Sequence, residues 1–184
     1  MSKKEAAEAL RILLDEGFRF TVIGGTVVEL NLGSKDLGDD IDLFSEEPSA
    51  LEEEEFIRVA EARSWVLGQT WLGTPRIVAR ARGGEVPIEF YDNLYDFYVP
   101  PEILEDAVRT MIGNVRVRVV RLEDHVVLKA NSGRGSDIER LKEIARMAKK
   151  GRLRIDPNRV IETVNLFDEP QVLLRRLRDA GFRL

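Results

Sequence analysis

Asp40 and Asp42 stand on either side of Ile41 in the segment DDIDLF, which reads as a β-strand. Residues i and i+2 of a strand share a face, so both carboxylates should point one way while Ile41 and Leu43 point into the core. Adjacent carboxylates repel each other, and a divalent cation relieves that repulsion; oxygen ligands favour Mg²⁺ or Mn²⁺. The pattern predicts a metal site at Asp40 and Asp42, with a solvated acidic turn as the alternative.

Glu89 is the candidate for a third ligand. In VPIEFYD the apolar residues Val86, Ile88 and Phe90 alternate, which leaves Glu89 on the opposite face of the strand. Taken alone, this acid fits the exposed face of an edge strand. Beside two aspartates on a nearby strand, it becomes the missing ligand of a two-metal site.

Gly24 and Gly25 separate a predicted strand, FRFTVIG, from a predicted helix, TVVELNL. Glycines at such a junction let the backbone turn tightly and approach a ligand closely, and the N–H groups that follow can point at an anion. Because a Gly-Gly turn is common, Gly24-Gly25 indicates a phosphate site only in combination with the acidic residues described above.

The elements that must position these residues follow a simple order. The pattern predicts a helix, a strand, a helix, the strand DIDLF and a helix capped by Ser49. Three β-like runs, a short helix over PPEILEDAVRTM and the strand GNVRVRVV come next, followed by four helices. This order predicts an α/β (α+β) fold, with a sheet domain at residues 1–121 and a helical region at residues 122–184 packed on it.

Composition excludes several classes. The 184 residues contain no cysteine, which excludes disulfides and thiolate metal sites, and no run of 18 apolar residues, which excludes a membrane span. A cytoplasmic location is therefore expected, and 33% charged residues are compatible with a heat-adapted source. Residues 140–184 carry 12 Lys/Arg against 6 Asp/Glu, in a chain of net charge −5. Such a basic tail is either an ordinary set of helix faces or a site for a polyanion.

Together, Gly24-Gly25, Asp40-Ile41-Asp42 and Glu89 resemble the nucleotidyltransferase superfamily of the polymerase-β type. The resemblance covers residues 18–92 and is closest to small prokaryotic nucleotidyltransferases, including those of toxin–antitoxin and abortive-infection systems. It implies a nucleotidyltransferase-type mixed sheet flanked by helices. It also implies that the glycine turn contacts the triphosphate of an NTP, and that the three acids hold two metal ions for in-line phosphoryl transfer.

The later segment RLEDHVVLKANSGRGSDIERLKEIAR is similar to the corresponding part of that group. The resemblance implies that Lys129 reaches a nucleotide phosphate and that Asp137 opens the following helix. The alternative is structural for both residues, as a helix-end cation and a first-turn acid. The single histidine, His125, fits a packed or surface side chain better than a ligand.

Two functions remain open at this point. The first is an enzyme that transfers a nucleoside monophosphate from an NTP to an acceptor hydroxyl on RNA, a protein or a small molecule. The second is a weakly active or inactive module of the same fold that binds nucleotide, RNA or a partner protein. Asp36 and Asp39 in the loop before Asp40 favour the module, because they repel a triphosphate unless Lys35 or a metal offsets them. A homodimer or a toxin or antitoxin partner is compatible with either function.

Overall fold

The computed structural model describes residues 1–184, which form eight helices and seven strands. The helices are α1 Lys3–Asp15, α2 Gly25–Asn31, α3 Glu53–Arg63, α4 Pro101–Glu105, α5 Leu122–Ser132, α6 Gly135–Lys149, α7 Pro157–Val164 and α8 Pro170–Asp179. The strands are β1 Arg19–Ile23, β2 Ile41–Glu47, β3 Val66–Gln69, β4 Pro75–Ala81, β5 Gly84–Tyr91, β6 Val108–Ile112 and β7 Val115–Val119. None of the helices combines the length and apolar character needed to cross a bilayer.

All seven strands form one sheet in the order β3-β4-β5-β2-β1-β7-β6. The neighbours β2 and β5 run parallel, as do β1 and β7, whereas every other pair is antiparallel. The predicted mixed α/β sheet is therefore confirmed. The order also places the strand of Asp42 between the strand of Glu89 and the strand that leads into Gly24.

The two faces of the sheet differ because side chains alternate along each strand. One face is apolar and buried, and we call it the core face; it carries Val22, Ile41, Leu43, Ile77, Ala79, Val86, Ile88 and Phe90. Helix α3 packs on it through Phe56, whose ring centroid lies 4.8 Å from that of Phe90. The opposite face carries the paired residues Asp42 and Glu89, and also Thr21, which pairs with Phe44 two residues further along β2; we call it the site face.

Two predicted elements differ from the structure. The helix predicted over PPEILEDAVRTM ends at Glu105, and residues 108–112 instead form β6, which pairs with β7 across the turn at Gly113 (φ 56°). The alternation on both sides of this turn favours a hairpin, so cross-strand pairing outweighs the helical propensity of the segment. Helix α3 begins at Glu53 and not after Ser49; the hydroxyl of Ser49 accepts from the N–H of Leu51 and donates to Asp92, within a turn that precedes the helix.

The chain divides into two compact units. The first contains Met1–Tyr98 and Ala107–Val119, and the second contains Val99–Asp106 and Val120–Leu184. The second unit is helical, and Asp124 is its buried polar centre, fully shielded from solvent. Arg159 and Thr163 of α7 both donate to the Asp124 carboxylate, so the buried charge is paired and hydrogen-bonded. The sequence-based division at residue 121 stays a prediction.

Candidate metal centre

The structure brings together the three acids that the sequence singled out. Asp42 on β2 and Glu89 on β5 are direct partners in a parallel strand pair, and Asp40 lies immediately before β2. One carboxylate oxygen from each residue lies within 4.8 Å of the others. Oxygens that bind Mg²⁺ at 2.0–2.1 Å lie at most about 4.2 Å apart, so a small inward shift of these side chains would let one ion contact all three. Three carboxylates are the kind of donor set that Mg²⁺ or Mn²⁺ prefers.

Gly24 is fixed by its contact with Asp42. Its backbone angles, φ 69° and ψ −156°, lie in a region that is essentially restricted to glycine. A Cβ atom on Gly24 would lie only 1.7 Å from Oδ2 of Asp42, because Ile23 and Asp42 are direct partners across β1 and β2. The turn can therefore pass the acidic cluster only if residue 24 lacks a side chain.

Gly25 differs from Gly24 in its surroundings. No heavy atom would lie within 4 Å of a Cβ placed on Gly25, so the space beside this residue is open. The structure thus leaves a free approach to the backbone of the turn next to the three carboxylates. The predicted contact of Gly24 and Gly25 with phosphate stays a prediction.

Electrostatics of the cluster favour a cation. Burial raises the pKa of the Asp40 carboxyl above its ordinary value, and the negative charges of Glu89 and Asp39 raise it further. Arg76 acts in the opposite direction. The raised pKa means that the ionised form of Asp40 is disfavoured in this setting, as expected where like charges converge. A bound divalent cation would reverse that balance.

Arg76 and Tyr91 hold the side chain of Glu89 from two sides. Nε of Arg76, on the adjacent antiparallel strand β4, lies 3.3 Å from Oε1 of Glu89. The hydroxyl of Tyr91 donates to Oε2 at 2.5 Å, and its ring stacks on Phe97 at 5.0 Å between centroids. Burial raises the pKa of Tyr91, and the hydrogen bond to Glu89 raises it further, so the phenol remains a donor.

The contacts of Arg76 and Tyr91 with Glu89 were not predicted from the sequence. Tyr91 follows Glu89 by two positions, so strand periodicity placed both on one face, and that signal was available. Arg76 carried no such signal, because its position opposite Glu89 depends on the register of the β4–β5 hairpin.

Lys129 and Asp137 form an ion pair in the second unit. Nζ of Lys129 lies 2.7 Å from Oδ1 of Asp137, and Ser132 and Arg134 also donate to this carboxylate. Burial would raise the pKa of Asp137, but the hydrogen bonds from Lys129, Ser132 and Arg134 lower it to about 2. Asp137 lies in the first turn of α6, as expected. The predicted contact of Lys129 with a nucleotide phosphate stays a prediction.

His125 is packed inside the second unit and is 1% exposed. Its Nε2 atom has no hydrogen-bond partner. Burial, together with the positive charges of Lys129 and Arg140, lowers the pKa of His125 to about 3. The side chain is therefore neutral at physiological pH, which confirms the expectation of a packed histidine.

The fold of the chain is similar to that of a solved protein. An antigenic nucleotidyltransferase-like protein from Paracoccidioides brasiliensis is similar over 97% of this chain and 86% of its own, with a TM-score of 0.58 and 18% identity. The antibiotic-resistance factor ANT(2'')-Ia, solved with adenylyl-2''-tobramycin, matches over 92% of each chain, with a TM-score of 0.48 and 16% identity.

The chain itself belongs to the family described as "Nucleotidyl transferase of unknown function (DUF2204)", which matches residues 2–179. No curated protein matches the chain at a significant level. The family match confirms the nucleotidyltransferase resemblance seen in the sequence, and the P. brasiliensis structure confirms the fold.

Proposed function

We propose that this protein is a metal-dependent nucleotidyltransferase that transfers a nucleoside monophosphate from an NTP to an acceptor hydroxyl. The observation that carries the proposal is the convergence of Asp40, Asp42 and Glu89 beside the turn at Gly24. Membership of a nucleotidyl transferase family supports the reaction class.

Asp40, Asp42 and Glu89 would hold two Mg²⁺ or Mn²⁺ ions, with phosphate oxygens and water completing the ligand sets. Such ions, when bound, neutralise the charge of the phosphates as the transfer proceeds. The backbone of Gly24 and Gly25 binds the β- and γ-phosphates. Because phosphoryl transfer depends on positioning and charge neutralisation, the chain needs few further catalytic groups.

Glu89 has a second role as the base toward the acceptor. The acceptor oxygen forms a bond to the α-phosphorus as the bond from that phosphorus to the bridging oxygen breaks, and pyrophosphate leaves. A carboxylate oxygen of Glu89 takes the hydroxyl proton. The hydrogen bond from Tyr91 and the contact with Arg76 keep that carboxylate in a fixed orientation.

Calorimetric titration of the purified protein with Mn²⁺ or Mg²⁺ and each NTP tests the proposal. We expect metal-dependent NTP binding that is lost in an Asp40→Asn/Asp42→Asn variant. An Asp36→Asn/Asp39→Asn variant is the matched control, since it removes two charges from the same loop but leaves the cluster intact. It should bind NTP at least as tightly as the wild type. NTP binding that survives in the Asp40→Asn/Asp42→Asn variant would overturn the proposed site.

The second candidate is a module that binds nucleotide, RNA or a partner protein without turnover. The ion pair of Arg76 with Glu89 favours it, because a cation of the chain already lies against one of the three acids. Two assays separate the two candidates: transfer of label from an α-labelled NTP to RNA or protein, and exchange of labelled pyrophosphate into the NTP. Metal-dependent NTP binding without transfer in any of these assays would favour the module. A cytoplasmic location, a homodimer, a toxin or antitoxin partner and a heat-adapted source stay predictions.

A further inference from the structure

A cluster of arginines lies on the β6–β7 hairpin and the start of β1. Arg109 on β6 and Arg118 on β7 are direct cross-strand partners, and Arg116 lies two residues from Arg118 on the same face. With Arg19, these residues line a pocket of about 240 Å³, to which Glu46 contributes the one acidic side chain. We call Arg19, Arg109, Arg116 and Arg118 the arginine patch.

The patch carries more positive charge than its acids neutralise. Arg118 donates to Glu46 at 2.8 Å, and Arg19 pairs with Glu47 at the surface. Arg109 and Arg116 are exposed, and Arg109 stands directly opposite another arginine. Like charges directly opposite each other destabilise a strand pair. The chain as a whole has a net charge of −5, so the arginine patch is a positively charged region on an acidic protein.

The arginine patch shares the site face with the acidic cluster. The strand pairs Asp42–Ile23 and Thr21–Arg118 place these side chains on one face, since Thr21 and Ile23 lie two residues apart on β1. Strands β2 and β7 lie on either side of β1, about 10 Å apart, and Arg118 lies a further two residues, about 7 Å, along the sheet from the level of Asp42. The side chains between them on this face, Thr21, Ile23 and Phe44, are buried. A polymer held on the arginine patch would therefore have to pass around this covered part of the sheet to bring its end to the acidic cluster.

We propose that the arginine patch binds the phosphodiester backbone of a single-stranded nucleic acid, and that this strand is the acceptor of the transfer. Guanidinium groups bind phosphate oxygens in a bidentate manner and also stack on bases. Side chains two residues apart on β7 are separated by about 7 Å, which suits successive phosphates of an extended strand. Met111, 48% exposed opposite Arg116, adds an apolar surface for a base. The acceptor assignment rests on the function proposed above, but the binding itself does not.

Fluorescence anisotropy of a labelled single-stranded oligoribonucleotide, measured in EDTA, tests the binding. We expect log K to fall with log salt by about 0.7 per phosphate contacted, between about 50 and 200 mM KCl. An Arg109→Gln/Arg116→Gln variant should bind at least about tenfold more weakly at low salt, with a slope reduced by about 1.4 because two contacts are lost. Its metal and NTP binding should stay as in the wild type.

An Arg80→Gln/Arg82→Gln variant is the matched control, because it removes two exposed arginines from the β4–β5 hairpin. It should bind the oligonucleotide as the wild type does. Equal losses in the two variants would overturn the patch as the site, as would retained binding in the Arg109→Gln/Arg116→Gln variant. Competition by polyglutamate as effective as by RNA would overturn the nucleic-acid assignment. Comparison of single-stranded RNA with single-stranded DNA of the same sequence identifies which type of nucleic acid is bound.

The two proposals fail separately. If the wild type binds metal and NTP but no oligonucleotide, the arginine patch proposal is wrong and the transferase proposal stands. If oligonucleotide binding depends on Arg109 and Arg116 but metal-dependent NTP binding is absent, the patch is a nucleic-acid site and its role as the acceptor site is wrong.

Discussion

Replacing Gly24 by alanine should damage the fold and the metal site together. Alanine at φ 69° and ψ −156° occupies a region that costs about 1 to 3 kcal/mol for a residue with a side chain. Its Cβ would also lie 1.7 Å from Oδ2 and 2.6 Å from Cβ of Asp42. A new rotamer moves Oδ2 but not Cβ, so the backbone must shift as well, and such overpacking costs about 1 to 3 kcal/mol. We expect the free energy of unfolding to fall by about 2 to 6 kcal/mol.

Urea denaturation measures the loss of stability, and calorimetric titration with Mn²⁺ measures the site. The displaced Asp42 carboxylate can no longer face Asp40 and Glu89, so Mn²⁺ affinity should fall at least about tenfold, which corresponds to about 1.4 kcal/mol. The two effects have different origins, since one is backbone strain and the other is the position of a ligand.

Gly25→Ala is the control for this prediction. A Cβ at Gly25 meets no atom within 4 Å, and alanine is favoured over glycine in a helix by up to about 1 kcal/mol. Stability should therefore stay the same or rise, and Mn²⁺ affinity should not change. The reasoning is refuted if Gly24→Ala unfolds within about 0.5 kcal/mol of the wild type and binds Mn²⁺ equally well.

Three further predictions follow from single side chains. Arg76→Met should raise Mn²⁺ affinity in calorimetry while lowering the stability of the metal-free protein, because Glu89 loses a competing cation; weaker Mn²⁺ binding would contradict this. Asp137, with a folded pKa of about 2 against 3.8 unfolded, should contribute about 2 kcal/mol above pH 4 that is lost as the pH falls through 2. Urea denaturation across this range should show a flatter profile for Asp137→Asn. His125→Leu should cost less than about 1 kcal/mol in urea denaturation, because it removes an unpartnered buried nitrogen; a loss above about 3 kcal/mol would indicate a polar partner.

The sequence predicted the positions of side chains correctly where they depend on a single strand and not on its pairing with another. Period-2 alternation was sufficient to put Glu89 opposite the apolar residues of β5, and the Gly-Gly junction was sufficient to place a turn after β1. The parallel pairing of Asp42 with Glu89 was not predicted; the resemblance to a known family implied only that the two acids share one site. Arg76 was missed because contacts between strands depend on register, which a single sequence states only indirectly.

The error at β6 has a different cause. Residues 107–111 are a short segment between a proline-initiated helix and a glycine turn, and such a segment fits either a last helical turn or an edge strand. The partner strand β7 decides that this segment is a strand. Its alternation of valine and arginine was recognised in the sequence, but its pairing with residues 108–112 was not. The same misreading hid the pairing of Arg109 with Arg118, so the arginine patch could not be found from the sequence.

Arg76 and Tyr91 explain how three converging acids persist in a folded chain. An unpaired cluster of carboxylates would repel itself, and at Asp40 this repulsion adds to the effect of burial in raising the pKa. The Arg76 guanidinium and the Tyr91 hydroxyl together contact both oxygens of Glu89, so this carboxylate has partners without a metal. The fold can therefore form first and bind its cations afterwards. Because the phenol of Tyr91 donates to Oε2 and Arg76 lies against Oε1, the two contacts fix the orientation of the Glu89 carboxylate before any cation binds.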